Sequence, residues 1–253
     1  MLITKRKSGI FTILNIFFAE EPVTDNLPEC DVVMYCTHKN WGAIKGFDRI
    51  KSYQLTIDLQ PHIDSIWNKM HRHNKRHIRR AEKNGTTVTA SNNFDEFHQM
   101  YKKYLKEKNH ADPLGLYTLS SQFMQKYGTL FFAENNGEIL GGYLYIHDKN
   151  NARLVNIAYQ NIGNDAEQKK RIYDANCYLH WEAMRYFKNL DIVRYALGML
   201  NCDEIYANRQ MSGGDYFKRK FGGEVVPEYN YVKFNSQVNK VLYLSYNHFR
   251  NYF

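Results

Sequence analysis

Apolar runs of strand length mark the first sixty residues, the last of them with a period of two, and a mixture of periods follows. Gly9–Phe18, Asp31–Thr37 and Ser52–Leu59 read as three strands, the last with Tyr53, Leu55, Ile57 and Leu59 alternating with polar side chains. From Pro61 the period lengthens, and Ile63, Ile66, Trp67, Met70, Ile78 and Ala81 continue one helical stripe until Gly85 stops it. Thr86–Ala90 is a short strand. Asn93 and Glu96 have the spacing of a capping box for a helix carrying Phe94, Phe97, Tyr101, Tyr104 and Leu105. Leu119–Tyr127 is a shorter helix ended by Gly128. Thr129–Glu134, the turn Asn135-Asn136-Gly137 and Glu138–His147 form a hairpin, and Lys149-Asn150-Asn151 turns it into another strand.

The chain is organised around the stretch from Ala152 to Gly223. Ala152–Gln160 is a strand, and the turn-rich stretch after it leads to a helix. From Arg171 the positions Ile172, Ala175, Leu179, Ala183, Met184 and Phe187 share one face of that helix. Asp191–Met199 is again a buried strand. The order strand, helix, strand favours a parallel pair with a right-handed crossover, whose ligands sit beyond the carboxyl ends of the strands. Lys169, Lys170 and Arg171 crowd the expected helix start, where cations oppose the dipole, so they either receive a phosphate there or are solvated. Glu224–Phe234 is a closing strand, and Val238–Tyr252 an amphipathic helix capped by Asn235 or Ser236. The fold class is α+β: a twisted mixed sheet flanked by helices.

The 253 residues, 43% of them hydrophobic, are enough for a real core, with no repeat or low-complexity linker. The net charge of +8 suits an anionic partner such as nucleotide phosphates, transfer RNA or a membrane face, without choosing among them. The charge is concentrated. Lys69, Arg72, Lys75, Arg76, Arg79, Arg80 and Lys83 lie within one helical stretch with three His and only Glu82 in opposition. That stripe either grips phosphates or is a solvated face. Cys30, Cys36, Cys177 and Cys202 are scattered without paired or metal-ligand spacing, which points to free thiols in the cytoplasm and no metal site. Lys5-Arg6-Lys7 before an apolar run imitates a signal peptide, but Thr12 and Asn15 interrupt the run and Phe17 occupies the place of a small residue. No apolar run is long enough to span a membrane. Nucleotide-binding glycine loops, zinc-protease and serine-hydrolase signatures are missing.

Three local patterns carry a resemblance. They are Thr56-Ile57-Asp58-Leu59 leading to Arg79-Arg80-Ala81-Glu82-Lys83-Asn84-Gly85; Leu179-His180-Trp181-Glu182-Ala183-Met184 leading to a strand with Gly198; and Tyr216-Phe217-Lys218 followed by Phe221-Gly222-Gly223. In this order, across residues 52–234, they resemble the FemAB-like branch of the GNAT superfamily of acyltransferases. The resemblance implies a GNAT-like sheet in which residues 91–253 form the acyltransferase domain, and residues 1–90 a reduced amino-terminal half packed on it. It implies transfer of an acyl or aminoacyl group from a thioester or transfer-RNA ester to a primary amine, often on a cell-envelope glycan precursor. Lys218 then takes the family's lysine position, offsetting charge on the tetrahedral intermediate.

The remaining site expectations follow from such a fold. Asn156 and Tyr159 lie on the strand that would receive the donor, Lys169, Lys170 and Arg171 would meet its phosphates, and Asp174 or Tyr216 would take the amine's proton. Arg72, Arg76 and Arg79 would hold a phosphorylated acceptor, such as an amino sugar on a nucleotide or lipid carrier. Acyl-CoA (acetyl-CoA) is the first expectation for the donor and aminoacyl-transfer RNA the alternative. The glycine-rich pyrophosphate loop of ordinary acetyltransferases is missing after Gln160, and bridge-forming relatives are longer. A rival reading is a non-catalytic module that binds RNA or an anionic membrane with the same cations and aromatics.

Overall fold

The computed structural model describes residues 1–8, 10–23, 27–108, 121–160, 165–200 and 211–241. Strands β1 (Leu2–Ser8), β2 (Phe11–Phe17), β3 (Val32–Thr37) and β4 (Asp48–Asp58) come first, then helices α1 (Ile63–Lys69) and α2 (Arg72–Lys83). Next are β5 (Thr87–Ser91), α3 (Phe94–Lys108) and α4 (Ser121–Tyr127), followed by β6 (Gly128–Asn135), β7 (Glu138–His147) and β8 (Asn151–Tyr159). The chain continues through α5 (Ala166–Asn189), β9 (Arg194–Leu200), α6 (Gly213–Arg219) and β10 (Glu224–Phe234).

All ten strands join one sheet in the order β1-β2-β3-β10-β4-β9-β8-β7-β6-β5. Neighbours are antiparallel except β2 with β3 and β8 with β9. Because β10 inserts between β3 and β4, the amino-terminal strands and the later ones share one continuous hydrogen-bonded layer.

The helices cover opposite faces. On one, α1, α2 and α5 bury Ile66, Ile78, Leu179 and Phe187 against Leu55, Tyr145 and Tyr195. On the other, Phe97, Tyr101 and Met124 of α3 and α4 pack on Leu130, Phe132 and Leu144, and Leu2, Phe17 and Cys36 belong to the same cluster. The sheet therefore curls until its first strands approach the far face of β6 to β8, where the Met1 ammonium pairs with Asp148 in the β7–β8 turn (2.9 Å).

Several sequence expectations need correction. Leu2–Ser8 is a fourth early strand, paired with β2, in which Leu2, Thr4 and Arg6 are buried while Ile3, Lys5 and Lys7 face out. The imitation of a leader is thus a β-hairpin whose charges alternate. The helical stripe from Pro61 to Gly85 is two helices. Met70 is extended (ψ 138) and His71 caps α2, its backbone N–H donating to Lys220 O at 2.9 Å. α5 begins at Ala166, well before Arg171, with Asp165 as its cap. At the carboxyl end Ser236 is the capping residue, accepting from Asn239 N at 3.0 Å. Residues 242–253 of that expected helix, and Cys202, lie outside the described residues. Cys30, Cys36 and Cys177 are free thiols. Among the described residues no helix is long and apolar enough to cross a membrane.

Candidate active site

Parallel pairing of β8 with β9 is confined to Asn151↔Arg194, Ala152↔Tyr195 and Arg153↔Ala196. Beyond these, β8 runs on to Tyr159 and β9 to Leu200 without pairing each other. Each strand is irregular just past the point of departure. Leu144 and Tyr145 of β7 face Asn156 and Leu154, which makes Val155 an extra residue on β8. Gln54 and Thr56 of β4 face Met199 and Ala196, so β9 has its extra residue at Leu197–Gly198, where Gly198 adopts φ +98. A bulge bends its strand and increases local twist, and one on each side of the junction turns the two strands apart. Two backbone edges then face one opening, with polar groups available to an extended ligand.

α6 brings a cation to this opening. Ser212 caps the helix, its hydroxyl accepting from Asp215 N at 3.2 Å. The Lys218 ammonium donates to the Met199 carbonyl, near the carboxyl end of β9, and lies 3.5 Å from the Asp215 carboxylate. Phe217 anchors the helix edge-on to Tyr173 of α5 (5.5 Å) and Phe221 (5.3 Å). The Phe221-Gly222-Gly223 sequence has a steric basis. A Cβ on Gly222 (φ +80) would come within 2.5 Å of Lys69 O, and one on Gly223 within 2.5 Å of Thr56 O. Tyr216 is 55% exposed, with the Lys220 ammonium 3.9 Å from its ring centre.

Asp174 is brought together with α2. It is buried, and its carboxylate takes Arg80 Nε and Nη2 and His77 Nδ1, each at 2.5 Å. A carboxylate held by Arg80 can only accept, so it fixes the proton of His77 on Nδ1 and leaves Nε2 facing His73 Nε2 at 3.3 Å. Tyr173 stands edge-on to both imidazoles. Burial holds His77 below the usual histidine range, partly opposed by its bond to Asp174. His73 is also lowered, by burial and by His77. Both rings are therefore neutral near pH 7 and able to accept a proton. Deeper in the core, His180 Nδ1 meets Tyr195 OH at 2.7 Å, and Tyr195 OH meets Tyr145 OH at 2.6 Å. Complete burial, with Lys218 adding to it, lowers His180 to about 3.

The other expected residues divide into two groups. Asn156 is buried with Oδ1 lacking a partner, as is Asn176 of α5, and Tyr159 lies edge-on to Tyr104 at 5.3 Å with its phenol raised by burial. These stay with the opening. Lys169 is exposed, Lys170 pairs with Glu167 (3.3 Å), and Arg171 binds Asn135 (3.1 Å) and Glu138 (3.2 Å). The true start of α5 carries Asp165 and Glu167, which suit the helix dipole, so the mismatch that pointed to a phosphate is absent. Arg72, Arg76 and Arg79 are exposed along α2, with Arg79 5.5 Å from the Trp67 ring. His77 and Arg80 were counted only within the basic stripe and His180 only within a resembling pattern, and none of the three was an expected site residue. The available signal was helical phase: His77 shares its buried face with Asn74, Ile78 and Ala81.

No protein-family model and no curated protein matches the sequence. Among solved structures the chain is similar to FemX, with 12% identity and a TM-score of 0.60 over 96% of this chain and 85% of that one. It is similar to L-PGS from Bacillus licheniformis, at 13% identity and a TM-score of 0.56 over 96% of this chain and 84% of that one. It is also similar to the C-terminal domain of a putative lysylphosphatidylglycerol synthetase from Agrobacterium fabrum, at 14% identity and a TM-score of 0.53 over 83% and 71%. Identities this low speak for the fold.

Proposed function

We propose, from the GNAT-type fold that the chain shares with its FemX-like neighbours, that it is an acyltransferase acting at the β8–β9 opening. The observation that carries this reading is the placement of the Lys218 ammonium at the carboxyl end of a strand that has parted from its parallel neighbour. In the reaction, an amine nitrogen of the acceptor attacks the donor's carbonyl carbon, and the carbonyl oxygen becomes an oxyanion. Lys218 offsets that charge. As the carbonyl reforms, the bond to the leaving oxygen or sulfur breaks and the leaving group takes a proton. The amine's proton goes to a base, for which the neutral His73–His77 pair, positioned by Asp174, is better suited than Asp174 itself, whose oxygens are already held. Tyr216, exposed beside Lys220, can relay that proton to solvent, its hydroxyl accepting one proton as it gives up another.

On the donor, two observations favour an aminoacyl ester of transfer RNA over acyl-CoA. The described start of α5 places the carboxylates of Asp165 and Glu167 where a diphosphate would sit, and Arg72, Arg76 and Arg79 form an exposed stripe along α2 suited to a polyanion. A phosphorylated amine acceptor, such as a glycan or lipid precursor, would use the same stripe. The test is Lys218→Ala, assayed with aminoacyl-transfer RNA and with acetyl-CoA against a panel of amines. Transfer should fall by about 10²- to 10³-fold while donor affinity stays within about twofold. Transfer at the wild-type rate in the variant would overturn the reading.

A further inference from the structure

The sheet face opposite α5 holds a pocket of about 190 Å³, under the curled amino-terminal strands at the base of the β8–β9 opening. Arg153 and Ala196, the last residues joined by the parallel pairing, are in its wall with Gln54 and Thr56 of β4. Two wall oxygens are unmatched within the protein, and one wall cation lacks a counter-ion among the described residues. Gln54, 8% exposed, has no hydrogen-bond partner for its side-chain oxygen Oε1. The Thr56 hydroxyl is likewise buried without a partner. Arg194 reaches His38 (2.8 Å) and Asn151 Oδ1 (3.2 Å), yet forms no ion pair with any described carboxylate. Other nearby charges are accounted for. Buried Arg153 binds the buried Glu228 carboxylate through both terminal nitrogens and touches Cys36 Sγ, and Glu20 is held by Lys39 at 3.0 Å.

Buried polar atoms are rarely left unsatisfied, so this set points to an occupant. The pocket is smaller than the roughly 300–1,000 Å³ of sites for drug-sized ligands. A lone anion on Arg194 could accept from the Thr56 hydroxyl but would leave Gln54 Oε1 unmatched, and a simple amine would leave the guanidinium without a counter-ion.

We propose that this pocket binds a small carboxylic acid carrying an amino group, the chemistry of a free α-amino acid, with its carboxylate on Arg194 and its ammonium on Gln54 Oε1 and Thr56 Oγ1. The proposal goes beyond the transfer reading and does not depend on it. Titration calorimetry of the full chain with glycine, L-alanine and L-serine tests it against propionate, which lacks the amine, and ethylamine, which lacks the carboxylate. At least one amino acid should bind, with either truncated probe at least tenfold weaker. Arg194→Gln and Gln54→Leu should each weaken that binding at least tenfold. Should Arg194→Gln fail to fold, Gln54→Leu decides. No binding of any amino acid at millimolar concentration would show a pocket filled by water and overturn the proposal, as would ethylamine and propionate binding as tightly as L-alanine.

Discussion

The sheet contains two parallel pairs that behave differently. β2 and β3 stay in register from Ile13↔Val32 to Phe17↔Cys36. β8 and β9 part after Arg153↔Ala196. Parallel geometry is common to both, so it does not cause the opening. The difference lies in what each pair carries past its first contacts. β2 and β3 show no register shift and close over apolar residues such as Ile13, Ile16 and Val32. β8 has its bulge at Val155 and β9 at Leu197–Gly198, and each is held on its far side by an antiparallel neighbour, β7 or β4. An opening in the middle of a sheet thus arises where two irregular strands are held more firmly by their outer neighbours than by each other.

The largest effect that would break this comparison is on chemistry. Lys218→Ala should abolish nearly all transfer, a loss of about 3–4 kcal/mol of transition-state stabilisation, while the exposed Lys5→Ala on β1, the strand beside the closed pair, should leave the rate alone.

Acid stability follows in size, through His180 behind the opening. The unfolded chain takes up a proton on this histidine near pH 6.5, whereas burial, aided by Lys218, holds the folded value at about 3. Between these values the unfolded state binds the extra proton, so stability falls as pH falls, by about 1.4 kcal/mol per pH unit. Stability at pH 7 is unaffected by this group's titration. His180→Asn should flatten that slope in denaturant melts from pH 6.5 to 4, with the remaining slope coming from His38, His73, His77 and His147, which burial also lowers, and at the acid end from Glu20, which its bond to Lys39 lowers. An unchanged slope would contradict the assignment.

Backbone substitutions come next. Gly222→Ala forces a Cβ against Lys69 O and should cost about 3 kcal/mol, read as a lowered melting midpoint. A Cβ at Gly198 meets no described atom within 4 Å, so Gly198→Ala costs conformational strain alone, about 1–3 kcal/mol. If β9 instead straightens to escape the strain, the opening narrows and transfer falls more than stability does. The smallest effect is electrostatic. Replacing Arg72, Arg76 and Arg79 by Gln should leave stability nearly unchanged and reduce the salt dependence of donor RNA binding by about 0.7–0.9 in log–log slope for each phosphate no longer neutralised.

The sequence made the elements of the carboxyl-terminal part legible because their apolar periods are long and unmixed, as in α5, where Ile172, Ala175, Leu179, Ala183 and Phe187 are all buried. β1 was hidden because Lys5-Arg6-Lys7 obscures a period of two. The α1–α2 break was hidden because Met70 stays buried on the stripe while its backbone becomes extended. Of the candidate site, Lys218 was singled out through the resemblance carried by Tyr216-Phe217-Lys218. Asp174 was singled out as a carboxylate on a crossover helix, but its partners Arg80 and His77 lie 94 and 97 residues away and were counted as part of a surface stripe. The bulges that open the sheet depend on pairing between strands, which no single segment encodes.

The most direct measurement is residue-resolved hydrogen exchange of the amides in Asn156–Tyr159 and Leu197–Leu200. It should be run with and without a non-hydrolysable aminoacyl-adenosine analogue, and separately with CoA. The account predicts faster exchange there than at Ile13–Phe17 in the free protein, and protection of both edges together when the donor analogue is bound. Amides already protected in the free protein, or unchanged by either donor, would contradict it.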